Sequence, residues 1–245
     1  MVGQARTNLP YDAIIFDLFG TLVDDLLTEP FTQTLEEMAS FIGAPRDIFL
    51  QMWMHDTWPL RAAGHLPDVE ANILYICTEL GITPKPEQIQ RAVHRRLELT
   101  RQSLKPRHDA LETLEALRTA GYKLGLISDC SSEVPLLWRT TPLAAYIDAP
   151  IFSCSVKLKK PDPRIYHLAC ESLEIAPERC LFIANGESNE LAGAQAIGIE
   201  AMLIRVPYAE EHNPRCHEAR TWRGARIESI KGLLAHLDGV RVEEL

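Results

Sequence analysis

The sequence predicts an α/β protein, a doubly wound parallel sheet carrying a small all-helical insertion. Three observations predict it. Short apolar runs of strand length occur at residues 13–19, 123–128, 151–154, 180–184 and 201–206, the pattern of parallel strands buried on both faces. Helical patterns separate the later runs, giving the strand, helix, strand series of a doubly wound sheet. Residues 26–104 interrupt that series with helical periodicity, many polar residues and no convincing buried strand.

Each element follows in order. The first run ends Ile14-Ile15-Phe16-Asp17-Leu18-Phe19-Gly20-Thr21. An apolar strand thus delivers a carboxylate to its carboxyl end, where the crevice of such a sheet lies, and Gly20-Thr21 allow a tight turn with N–H groups free for an anion. Within the insertion, Pro45, Pro59, Pro67, Pro84 and Pro86 mark off roughly four helices, the third over 69–80 before Gly81 and the fourth over 86–100. Residues 109–120 read as a helix because Leu111, Leu114 and Leu117 recur every third position and Gly121 supplies a stop. The second run ends Ile127-Ser128-Asp129-Cys130-Ser131, offering a hydroxyl at a neighbouring strand end or simply a helix N-cap. In Lys159-Lys160-Pro161-Asp162-Pro163 the prolines restrict the backbone around Lys160 and start a helix, which holds an ammonium in place. The fourth run passes directly into Asn185-Gly186-Glu187-Ser188-Asn189-Glu190. Residues 207–223 read as a polar loop and 227–237 as a closing helix. Residues 1–24 and 105–245 are therefore assigned to the α/β core and 25–104 to a helical cap over the sheet.

Composition narrows the class. With 245 residues, 46% hydrophobic and 24% charged, the chain can bury one good core and a smaller second one, which excludes disorder. A formal charge of -9 repels nucleic acid and anionic lipid, so neither is an expected partner. The six cysteines are scattered without a CxxC pair and read as reduced thiols. No apolar leader begins the chain, and no stretch approaches the roughly 18 apolar residues of a membrane span, so a cytoplasmic location is expected.

The four polar segments, in this order and with a helical insertion between the first two, resemble those of the haloacid dehalogenase (HAD) superfamily of hydrolases, from Tyr11 to about Leu237. The resemblance implies a HAD-like Rossmannoid core with Asp17 as nucleophile, Ser128 as the second-motif hydroxyl and Lys160 as the third-motif lysine. Asp17, Asn185 and Glu190 would be the ligands of Mg²⁺. It also implies substrate contacts by Phe19, Thr21, Asp129 and the cap residue Arg61. In such enzymes a carboxylate attacks phosphorus or carbon and water hydrolyses the covalent aspartyl intermediate, splitting one difficult displacement into two. Ser128, Lys160 and backbone amides near Leu18, Phe19 and Asp129 would hold anionic oxygens. The cap would exclude water and select the substrate.

Two positions depart from the phosphatase pattern. Phe19 stands where a second Asp protonates the leaving oxygen, and loss of a general acid costs about 10²- to 10⁴-fold in rate. Asn185 replaces an acidic metal ligand, so Mg²⁺ binding is weakened. The segment Asp17-Leu18-Phe19-Gly20-Thr21-Leu22 is instead similar to 2-haloacid dehalogenases, whose halide departs without a proton or a metal; Arg46 and Arg61 are both candidates to cradle it. Against that, Ser128-Asp129-Cys130 replaces their Ser-Asn-Gly, and the spacing of Asn185 to Glu190 is of the phosphatase type. Trp53, Trp58, Met52 and Met54 suit either a pocket or a cap core, whereas His55 and His65 lack partners at metal spacing. The expectation is a hydrolase working through an aspartyl intermediate on a small anionic metabolite, as a monomer or homodimer. A phosphate monoester ranks narrowly ahead of a 2-haloacid, and a catalytically weak binding protein is the third reading.

Overall fold

The computed structural model describes residues 10–25, 29–205 and 217–243. Among these residues six strands form one parallel sheet in the order β3-β2-β1-β4-β5-β6. They are β1 (Ala13–Phe16), β2 (Lys123–Ser128), β3 (Ala149–Phe152), β4 (Cys180–Ala184), β5 (Glu200–Ile204) and β6 (Arg226–Ile227). β1 lies at the middle, with Ile14 in register with Leu124 on one side and Leu181 on the other. Chain order reverses at β1, so the crevice outside its carboxyl end is the switch point where such sheets bind ligands.

The strands are apolar on both faces because both are covered. Ile14, Phe16, Leu126, Ile183 and Met202 pack with Leu114 and Leu117 of α6 (Ala110–Thr119), with α7 (Glu133–Trp138), and with Leu233 and Leu237 of the closing α12 (Gly232–Glu243). Ala13, Ile15, Ile127, Phe182 and Leu203 face α9 (Pro163–Leu173), α10 (Glu190–Gln195) and α11 (His217–Thr221). Neighbours in the strand thus serve opposite layers, as the two-residue period of a strand requires.

The insertion folds around its own apolar cluster, which includes Leu35, Met38, Phe49, Trp53, Ile73 and Leu99. Its helices are α1 (Glu29–Ile42), α2 (Arg46–Gln51), α3 (Trp58–Ala62), α4 (Val69–Glu79) and α5 (Pro86–Ser103), and α1 packs along α5. A π-helical turn, Met52–Asp56, joins α2 to α3.

Several boundaries differ from those the sequence suggests. The first strand stops at Phe16, because Thr21, Leu22 and Val23 all send their N–H groups back to the Leu18 carbonyl and close a turn. The third strand begins two residues early at Ala149, and Ser153–Val156 is a short helix, α8. The 207–223 segment ends in α11 instead of continuing as loop, while 206–216 lie outside the described residues, Cys216 among them. The closing helix starts at Gly232, since Arg226–Ile227 pair with β5 as a sixth strand of two residues, too short to show a period. Among the described residues the cap contains five α-helices where four are expected, because the π turn divides the segment before Trp58 and Pro59 starts a new helix there.

Candidate active site

Loops at the carboxyl ends of β1, β2 and β4 converge on one lysine. Asp17 follows β1 directly and donates its backbone N–H to the Ile183 carbonyl at 2.9 Å. Its Oδ2 accepts from the Thr21 hydroxyl at 3.2 Å, and its Oδ1 accepts from Lys160 Nζ at 2.5 Å. The same ammonium donates to Glu190 Oε2 at 2.5 Å. Lys160 is held from behind as well, its backbone N–H donating to Asp129 Oδ1 at 3.0 Å. Burial lowers the pKa of this ammonium, but Asp17, Glu190 and Asp129 outweigh it and hold it well above the ordinary lysine value. Lys160 is therefore a fixed positive charge at neutral pH.

Ser128 ends β2 with a fully buried hydroxyl that has no hydrogen-bond partner. Asp129 beside it is pushed up by burial, with Lys160 opposing in part. Gly20 has φ +75°, and a Cβ there would lie 2.1 Å from Asn185 Nδ2, so the turn after Asp17 can touch the loop after β4 only through a glycine.

The donor set expected to hold Mg²⁺ does not fit it. Glu190 Oε2 accepts from Lys160, and Oε1 accepts from the N–H groups of Gly186 and Glu187, at 3.1 and 3.0 Å. Asn185 turns Oδ1 to the Glu187 N–H at 3.3 Å, which leaves its amide nitrogen, a donor, facing Gly20. A hard dication needs charged or carbonyl oxygens with open lone pairs; here an ammonium already bridges both carboxylates. Among the described residues no group of three His, Cys, Asp or Glu side chains is arranged to hold a metal ion.

A cavity of about 90 Å³ opens above Asp17 and Lys160, between cap and core. The cap lines it with Phe31, Met54, Trp58, Arg61 and Arg96, and the core with Phe19, Asp129 and Val134. The two arginines expected to compete separate cleanly. Arg46 is exposed and pairs with Glu36 and Asp47, whereas Arg61 is 4% exposed and lies over the rings of Trp53 and Trp58, at 4.8 and 5.4 Å. Trp53 is fully buried in the cap cluster against which Met52 and Met54 pack, and His55 and His65 are exposed.

A family model for haloacid dehalogenase-like hydrolases matches residues 11–198, which span every residue of this site. The chain belongs to that family. As a HAD hydrolase it is 25% identical over 196 residues to (S)-2-haloacid dehalogenase 4A of Burkholderia cepacia, covering 78% of this chain and 82% of that one. It is also 26% identical over 245 residues to a phosphoglycolate phosphatase of Cupriavidus necator, covering 98% of each. A HAD phosphatase structure from Thermococcus onnurineus shares the fold with a TM-score of 0.64 at 22% identity, covering 93% of this chain and 98% of that one. Membership in the HAD hydrolases therefore leaves both reaction types represented among its relatives.

Sequence reasoning missed Arg96 and Glu133, which form a buried ion pair beside this cavity. Glu133 stands five residues after Ser128 and opens α7, and no sequence pattern marks it as buried. Glu218 was missed too; its carboxylate accepts the N–H groups of Leu191 and Ala192 at 3.0 and 2.7 Å, and so fixes the start of the helix that carries Glu190.

Proposed function

We propose that this HAD hydrolase attacks carbon, not phosphorus, and needs no metal: Asp17 displaces a halide from a small 2-haloacid. One observation carries the reading. The Lys160 ammonium bridges Asp17 and Glu190 while Asn185 brings no charge and turns its oxygen to the Glu187 N–H, so the expected donor set offers a dication too little charge. Phe19 agrees with it, because a halide leaves as an anion and asks for no general acid.

In the first step a carboxylate oxygen of Asp17 forms a bond to C2 as the carbon–halogen bond breaks and its electron pair departs with the halide. The buried Arg61 guanidinium receives that developing charge in a largely apolar cavity, where its field is poorly screened. Lys160 orients the nucleophile through its hydrogen bond to Oδ1, and the Ser128 hydroxyl offers a donor to the substrate carboxylate. Water then adds to the ester carbonyl of Asp17, one of its protons passes to the C2 oxygen, which leaves as the hydroxyl of a 2-hydroxy acid, the other goes to solvent, and the carboxylate is restored. The cavity volume suits an acid of a few carbons. The helical cap, residues 25–104, selects it.

The test is release of halide from 2-chloropropionate in buffer cleared of metal with EDTA, by wild type and by Asp17→Asn. Turnover that survives EDTA and is lost in the variant supports the reading. Phosphate release from phosphoglycolate that requires added Mg²⁺, with no halide release, would overturn it in favour of the phosphatase.

A further inference from the structure

A polar relay, buried between cap and core, ends on Arg61. Arg96 of α5 is 3% exposed and donates Nε and Nη2 to Glu133 Oε1 of α7, at 2.9 and 2.6 Å. The Ser131 hydroxyl donates to that same oxygen at 2.8 Å. Arg61 Nη1 in turn donates to Ser131 Oγ at 3.2 Å, while Arg61 Nη2 donates to the Trp53 carbonyl at 2.5 Å. The direction of each bond matters. Because Ser131 gives its only proton to Glu133, its lone pairs are left to face the guanidinium. Burial opposes ionisation of Glu133, but Arg96 and Arg61 outweigh it and keep the carboxylate charged, so the hydroxyl is held in that orientation.

We infer that Arg96, Glu133 and Ser131 are positioning residues that fix Arg61 as the seat of the departing anion. This deepens the reading of Arg61 given above and rests on it. Neither residue of the ion pair needs to touch the reacting atoms; their effect passes through the Ser131 hydroxyl. The arrangement also ties the seat to closure of the cap, since Arg61 and Arg96 belong to cap helices and Ser131 and Glu133 to the core.

Sodium bromide is the probe, and tryptophan fluorescence reads its binding, because the Trp53 and Trp58 rings lie beside the Arg61 guanidinium. Wild type is expected to show a saturable quench that Arg61→Met lacks. Ser131→Ala severs the relay while leaving the Arg96–Glu133 pair intact. Its bromide Kd is expected to rise about three- to tenfold, the size of one ordinary hydrogen bond lost. Its kcat for halide release should fall by a similar factor with KM little changed, because the anion's charge develops only in the transition state. Ser131→Thr should restore both. A purely structural relay would lower Tm in Ser131→Ala and leave the bromide Kd alone, and that result overturns the inference. Glu133→Gln is expected to follow Ser131→Ala where it folds; the serine variants decide the matter where it does not. Saturable quenching that persists in Arg61→Met would instead overturn the role of Arg61 itself.

Discussion

A Cβ placed on Gly20 would lie 2.1 Å from Nδ2 of Asn185. The turn that presents Asp17 and the loop that carries Glu190 are thus pressed together at a position that takes φ +75°. Gly20→Ala imposes both a contact and a backbone conformation that an L residue disfavours by about 1–3 kcal/mol. A lowered Tm is expected, together with a turnover loss of about 10²-fold from displacement of Asp17. Thermal melts and halide release on the same preparation check it; an active Gly20→Ala would show that the close approach is dispensable.

Lys160→Met is expected to be more damaging than its single charge suggests. It removes the ammonium from between two buried carboxylates, and breaking a buried pair in this way costs about 3–5 kcal/mol. Turnover should fall about 10²- to 10³-fold, as when a preorganised donor is removed. The sign of the pH dependence follows from the raised pKa of Lys160 in the fold. Its contribution to stability is full below the ordinary value of 10.5 and fades only as pH rises through the higher folded value. Melts from pH 7 to 11 should therefore show a constant difference between wild type and Lys160→Met up to about pH 10 that narrows above it; a difference that shrinks by pH 8 would count against a permanently charged lysine.

The residues legible in the sequence are those whose place is set by a strand end. Asp17, Ser128 and Asn185 each follow or close an apolar run, so the parallel sheet alone puts them at one edge, and the prolines around Lys160 mark its loop. Which cap arginine turns inward was not legible. Arg46 and Arg61 both sit on short helices, and the difference arises from the π turn at Met52–Asp56, which brings the Trp53 carbonyl within reach of Arg61. Arg96 and Glu133 were hidden for a related reason. They are 37 residues apart, each on a helix with ordinary periodicity, and only tertiary packing shows that their charges are buried against one another.

Asp129 gives an expectation of opposite sign. Burial raises its folded pKa above the ordinary 3.8, so the fold holds a proton there more tightly than the unfolded chain does. Stability is therefore lost as pH rises from 3.8 through the folded value, and above it the side chain weighs against folding. Asp129→Asn removes the titrating carboxyl while its side-chain oxygen can still accept the Lys160 N–H. A higher Tm at pH 7 is expected, about 2–4 °C for each kcal/mol relieved, with the gain shrinking toward acid pH. Unchanged or lower Tm at pH 7 would mean that attraction to Lys160 outweighs the burial of Asp129.

Beryllium fluoride separates the two reaction types without any substrate, because on a carboxylate it imitates an aspartyl phosphate. A phosphoryl site assembled from Asp17 and a bound dication is stabilised by Mg²⁺ and beryllium fluoride together, the shift growing with ligand concentration. Here Asn185 brings no charge, its oxygen faces the Glu187 N–H, and Lys160 already bridges Asp17 and Glu190. The expected result is no shift in Tm with Mg²⁺, with beryllium fluoride or with both. Asn185→Asp supplies the missing charge but sets a carboxylate oxygen against Gly20, beside Asp17 and without a proton to donate. It is expected to gain a shift that needs both additives and to lose metal-free halide release. A large shift in wild type that needs both additives and disappears in Asp17→Asn would establish a metal-assisted phosphoryl site and remove the case for attack at carbon.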